Sequence, residues 1–292
     1  MLSAFKLMAL ASAVLAPIAI SAFAPGYGTG LATSRVPLPE FVELRAGAFL
    51  FRANGEFLRD GKPIKAPIVA VAVDRTLAVM KNQVTVADYL RCVKARACPM
   101  VGPGAAADRP VVGVSWRDTQ AYASWLSRET GATFRLPTDE EWAYAAASRF
   151  HDDALPENLD SGDPGQRALA IYDRDASRVT TVAKAPQPIG RFGANENGLL
   201  DMAGNVWEWT DSCFQRITVD AAGVRTAAVA NCGVRVVEGR HRAYMADFVR
   251  DARAGGCLSG TPPSNLGFRL VRDDVSWPGL RFVLRLVQPA SS

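Results

Sequence analysis

The sequence predicts a globular fold in which short strands and short, well-capped helices are separated by long irregular stretches. Three observations carry that prediction. Of 292 residues, 49% are hydrophobic and 21% charged, a composition that argues against disordered, collagenous and coiled-coil architectures. Thr85, Ser115 and Thr138 each stand three places before an acidic residue and open an apolar run of helical period, the signature of a capped helix start. A polar, turn-rich tract without any period runs from Phe150 to Gly193. Tracts of that length are uncommon in compact domains unless function, metal or disulfides hold them.

Taken in order, the chain opens with a leader. Lys6 precedes Leu7 to Ala24, a run with no charged side chain, and Ala22-Phe23-Ala24 offers a small-residue cleavage site. This is the pattern of a Sec-type signal peptide over 1–24. Pro25 disfavours cleavage there, which leaves an uncleaved anchor as the alternative. Residues 25–39, rich in Gly, Pro and Ser, read as a linker. Phe41 to Phe51 alternates loosely as a strand, and Asn54-Gly55 has the composition of a hairpin turn. Ile68 to Val79 reads as a second strand region broken at Asp74-Arg75. The Thr85 helix places Tyr89, Cys92 and Val93 on one face. The Ser115 helix carries Tyr122, Trp125 and Leu126 and ends near Gly131. The Thr138 helix has an acidic first turn that suits its dipole, then Trp142, Ala145 and Ala146 at core spacing. Val234 to Val237 and Gly267 to Val271 read as late strands, and Trp277 to Val287 as an added one within a C-terminal extension over 274–292.

Charge and side-chain counts exclude several functions. Thirty-three basic and 29 acidic residues leave +4, scattered without a run of five, so nucleic-acid binding is not indicated. The two histidines, His151 and His241, cannot form a three-His metal site within one chain. The five cysteines lack C-x2-C spacing, which argues against structural zinc. Their separations suit Cys92 paired with Cys98, and Cys213 with Cys232 across a variable-looking loop, as expected in an exported, oxidising compartment. Cys257 is left over.

Three stretches carry the most chemistry: Phe134 to Ala146, Asn195 to Thr210, and Asn265 to Leu270. The middle one packs amide, carboxylate and glycine residues ahead of Trp207 and Trp209. Calcium needs several oxygens of that kind, and Gly204, Asn205 and Glu208 supply them. The same residues can equally satisfy buried backbone groups under a Trp cluster.

These stretches, with Phe41-Val42, Ala46 to Phe49, Gln83 to Tyr89 and Pro110 to Trp116, resemble the sulfatase-modifying-factor family, whose best-known member is the formylglycine-generating enzyme. The resemblance covers residues 40–273. It implies an α+β domain related to the C-type-lectin-like fold, with little regular structure and structural calcium. It places the ion at Gly204, Asn205, Val206 and Glu208. It also implies that the second Trp of the motif, Trp209, borders the functional pocket.

The chain departs from the family where the chemistry would sit. The formylglycine-generating enzyme holds copper(I) with two cysteines before its final Gly-Phe-Arg segment, and soft thiolates have no easy substitute. Here no cysteine lies between Cys232 and Cys257, and the family's active-site serine aligns with His241. Copper-dependent oxidation of a sulfatase cysteine is therefore not expected. The family's three-His iron branch is excluded by the histidine count. Arg240, His241, Arg242, Tyr244, Arg250 and Arg253 stand at the site position with Glu238 and Asp247. His241, Glu238, Arg253 and Trp209 are the candidate site residues, with His241 a general base or, with Met245, a soft-metal ligand. The resemblance extends to two exported relatives: an accessory protein of copper nitrite reductases and a periplasmic pyoverdine-maturation protein. The expected role is an accessory or maturation factor for a periplasmic metalloenzyme. The alternatives are an oxidoreductase acting on a peptide or siderophore, and a lectin-like module without catalysis. No stable membrane insertion is expected once the leader is removed.

Overall fold

Strand burial explains the central sheet. In the computed structural model, which describes residues 36–102, 106–152, 185–251 and 265–273, β6 (Leu77–Met80) is buried at all four positions. Its uninterrupted apolar run suits a strand covered on both faces. It pairs antiparallel with β1 (Phe41–Leu44) on one side and β12 (Val271–Asp273) on the other, and β7 (Thr133–Arg135) completes the order β1-β6-β12-β7.

β2 (Gly47–Arg52) and β5 (Ile68–Val73) form a separate antiparallel ribbon. Asn54-Gly55 is not the hairpin that its composition predicts. It carries the chain out of β2 into β3 (Glu56–Arg59), which belongs to another sheet. Gly55 has φ +105°, and a Cβ there would lie 2.2 Å from the Gln215 carbonyl oxygen, so the glycine answers a close approach rather than a hairpin. The hairpin lies one step later, between β3 and β4 (Lys62–Ile64), at Asp60-Gly61 with φ of 51° and 73°. Positive φ at both central residues matches the right-handed twist of the flanking strands.

The largest sheet is built on a long hairpin, β8 (Trp207–Val219) and β9 (Arg225–Glu238), with order β10-β9-β8-β3-β4. β10 (Arg242–Ala246) closes one edge, and β11 (Leu266–Gly267) pairs parallel with the start of β8. The stretch between Cys213 and Cys232 was expected to be a loop. It is mostly paired strand, and the disulfide crosses the hairpin; the expected pairing Cys92–Cys98 also forms and ties the end of the first helix to the following loop. The reason for the misreading is physical: Arg225 to Gly233 is exposed throughout and therefore lacks the apolar alternation that marks a half-buried strand.

The helices follow their caps. α1 (Val86–Lys94) starts at Thr85, whose hydroxyl accepts from the Asp88 backbone N–H; Asp88 answers through that hydroxyl rather than the Thr85 amide, so the box is half formed. α2 (Trp116–Thr130) and α3 (Asp139–Ala146) have complete boxes at Ser115/Asp118 and Thr138/Glu141, and α2 ends at Gly131 with φ 75°. Their buried residues include Tyr89, Tyr122, Trp125, Leu126 and Trp142, each contributing about 2–3 kcal/mol by leaving water. Tyr89, Tyr122, Trp125 and Leu126 join Leu136, Trp209 and Phe268 in one core; Trp142, Leu199, Met202 and Val271 form a second beside it. The leader 1–24, linker residues 25–35, Arg253, Cys257 and the extension 274–292 with its expected strand lie outside the described residues.

Candidate functional site

α3 lies over a buried ionic row on the large sheet. Glu208 of β8 sits directly opposite Glu238 of β9, and Glu238 opposite Arg242 of β10. Paired residues of antiparallel strands share a face, so two carboxylates and a guanidinium form one row. Asp139 and Trp142, three apart in α3, project from one side of the helix and reach it. Like charges directly opposite each other repel, and the two glutamates are paired with different arginines, Glu208 with Arg269 and Glu238 with Arg242, which Asp139 shares. Arg269 donates to Glu208 through Nε at 2.7 Å and Nη2 at 2.8 Å. Arg242 Nε lies 3.1 Å from both Glu238 and Asp139. These acidic and basic side chains are at most 3% exposed. At that burial an unpaired charge is costly, whereas a hydrogen-bonded pair is tolerated.

Glu208 also accepts from Trp142 Nε1 at 2.9 Å and Gln83 Nε2 at 2.8 Å. Both of its oxygens are thus doubly engaged, and its charge is met by Arg269. The Asn205 amide exchanges hydrogen bonds with both backbone groups of Gln187, and the Gly204 carbonyl accepts from the Val206 N–H and from Gln83. A calcium ion drawing on Glu208 and Asn205 would have to displace these partners. As arranged, Gly204, Asn205, Val206 and Glu208 fit an arginine-neutralised brace rather than an ion shell. The turn that delivers them is unusual in its own right, with positive φ at Asp201, Ala203 and Asn205. The Asp201 carboxylate holds it by accepting from the Gly190 and Phe192 N–H groups.

His241 occupies the turn between β9 and β10. Its ring meets Trp207 edge-on at 4.6 Å, and Nδ1 lies 2.8 Å from the Arg242 carbonyl oxygen. A carbonyl only accepts, so Nδ1 is the donor in this contact. Gly239 makes this packing possible, since a Cβ there would stand 2.6 Å from Trp207. Arg242 continues from the row to the Arg52 carbonyl at 3.0 Å, with its guanidinium 4.7 Å above Phe51.

The structure brings His241, Glu238 and Arg242 into one neighbourhood. It does not do the same for Trp209. That residue is fully buried in the apolar core and donates to the Val114 carbonyl at 2.9 Å, so it is a packing residue and not a pocket wall. Met245 is likewise core. Of the other basic residues, Arg250 grips Asp118 through two hydrogen bonds, at 2.7 and 2.9 Å. From the sequence, Asp139 and Trp142 read only as a helix start and a core position, and Arg269 and Gln83 only as parts of the family motifs, none of them as members of the site. One signal was available for Arg269: a glutamate placed between two tryptophans is destined for burial and needs a cation.

The sulfatase-modifying factor enzyme 1-like domain matches residues 29–274. The formylglycine-generating enzyme of Mycobacterium tuberculosis is 35% identical over 188 residues, 58% of this chain and 59% of that protein. The bovine inactive C-alpha-formylglycine-generating enzyme 2 is 32% identical over 168 residues, 55% of this chain and 49% of that protein. The chain thus spans between about half and three-fifths of these relatives' lengths. Among solved structures, PvdO from Pseudomonas aeruginosa superposes with a TM-score of 0.52 at 22% identity, covering 80% of this chain and 94% of that one, and shows the same fold. Sequence match, mixed α+β architecture and the expected order of motifs agree: the chain belongs to the sulfatase-modifying factor enzyme 1-like domain family.

Proposed function

We propose that this protein is an exported accessory or maturation factor of the formylglycine-generating-enzyme type, serving a periplasmic metalloenzyme such as a copper nitrite reductase. The state of the cysteines carries this reading. Four of the five are joined in disulfides, so the chain retains at most one thiol, and a two-thiolate grip on copper(I) cannot be assembled from it. A relative of comparable identity bears the name inactive, and fold alone does not dictate catalysis. The apolar leader and the two disulfides support export.

A second reading, an oxidoreductase acting on a peptide or siderophore, draws on His241 as a general base or soft-metal ligand. Deletion of the gene separates the two. Loss of nitrite reduction with siderophore output intact supports the client reading. Loss of siderophore output alone supports the second. If neither changes, a lectin-like module is favoured over both. Complementation with His241→Ala and copper(I) titration of the purified variant then test the histidine itself. Tight stoichiometric binding lost in the variant would bring metal chemistry back to the site.

A further inference from the structure

A cleft of about 420 Å³ opens between β5 and the first turn of α3. Val71, Val73 and Leu77 form its apolar wall, and Asp74, Glu140 and Glu141 surround its polar end with Arg75. The charges there are unbalanced. Arg75 donates to Asp273 at 3.0 Å, and Glu141 is held by Arg135 through two hydrogen bonds. Glu140 and Asp74 have no ion-pair partner among the described residues. Glu140 is also half-buried. Its burial, and then the neighbouring Asp139 carboxylate, hold its pKa above the ordinary glutamate value, so an incoming cation would stabilise its charged form.

Among the described residues, the strand above the cleft is paired on one side only: β5 pairs with β2, and its other edge meets no strand. Ile68 to Val73 carries no charge, proline or bulge, the devices that normally blunt an edge. The outer face of the ribbon is apolar, with Leu50 74% and Ile68 55% exposed.

We propose that this cleft docks an extended peptide, which adds a strand along the free edge of β5 and seats a lysine or arginine side chain beside Glu140. Main-chain hydrogen bonds to β5 would supply affinity, and the alternation of a strand would turn every second side chain toward the cleft for specificity. The aliphatic stem of a lysine suits Val71, Val73 and Leu77, and its ammonium suits Glu140 and Asp74. Asp139, next to Glu140 in α3, is the residue ion-paired to Arg242 beside His241. A docked peptide would therefore lie against the helix turn that braces the candidate site. The proposal deepens the client-handling reading and rests on it for its biological meaning.

The test uses the full chain and fluorescein-labelled peptides of alternating threonine and lysine, read by fluorescence anisotropy. Binding is expected for the lysine peptide, with affinity at least about tenfold weaker when glutamate replaces lysine. N-methylation at alternate residues in one of the two registers should abolish binding by removing the donors that face β5. Glu140→Gln, nearly isosteric, should weaken the lysine peptide about tenfold without altering the melting temperature. Equal binding of lysine and glutamate peptides, indifference to N-methylation or to Glu140→Gln, or absence of binding would each overturn the proposal. So would sedimentation showing a second copy of the chain on the edge. None of these outcomes bears on the gene-deletion phenotype, and a silent deletion leaves the peptide titration intact.

Discussion

Glu208 must be neutralised where it stands, because water cannot reach it. Arg269, Trp142 and Gln83 do this together. Removing one partner of a buried pair leaves the other uncompensated, typically at about 3–5 kcal/mol. Arg269→Met is therefore expected to lower unfolding free energy by about that amount in urea denaturation, with Glu208→Gln less severe because the amide keeps part of the network. The same geometry predicts that calcium added after chelation leaves the melting temperature unchanged; a rise abolished by Glu208→Gln would establish an ion there. At the candidate site the sensitive position is Gly239. Gly239→Ala forces Trp207 from its contact with His241 and should cost about 1–3 kcal/mol, visible as a shift in Trp fluorescence together with a lower melting temperature. The residues of the site were only partly legible. His241 stood out as a departure from a familiar motif and Glu238 as its neighbour at the site position, whereas Asp139 and Trp142 read simply as a helix start and a core position.

Among the elements, the helices were the most legible because a cap is local chemistry. Ser115, Asp118 and Gly131 mark both ends of α2 within one stretch of chain. Ser115→Ala should cost about 1 kcal/mol, measured by thermal or urea unfolding. Asp118 adds a pH dependence. Burial would raise its pKa, but the Arg250 hydrogen bonds and those of Ser115 outweigh burial and hold it below the ordinary aspartate value. A carboxyl depressed in the folded state stabilises the fold above its unfolded pKa, and that stability is lost as pH falls through the folded value. Melting temperature should therefore drop on acidification below about pH 4, and Asp118→Asn should flatten the drop. A parallel curve in the variant would refute this assignment. The strands were less legible. β6 showed itself through its apolar run, but the distal half of the β8–β9 hairpin projects into solvent and displays no period, so its pairing leaves little trace in composition.

For the molecule as a whole, the cysteines link fold to function. Closing a loop of the size spanned by Cys213 and Cys232 restricts the unfolded chain by about 3 kcal/mol, and the shorter Cys92–Cys98 loop by about 2 kcal/mol. The Cys213→Ser/Cys232→Ser double variant is thus expected to lose more stability than the corresponding Cys92/Cys98 variant. Non-reducing mass spectrometry should recover both pairs and no others.

From the linear chain alone came the family, the three helix starts, the cysteine pairing and the absence of paired thiols before the last motif. All of these depend on residue types a few places apart or on simple counts. Folding supplied what distance along the chain conceals. Glu208 and Arg269 are 61 residues apart and Gln83 and Glu208 are 125 apart, yet they share one dehydrated network. No periodicity encodes such partners. They are selected by which strands lie side by side, by the helix laid over them, and by the requirement that a charge removed from water meet its opposite.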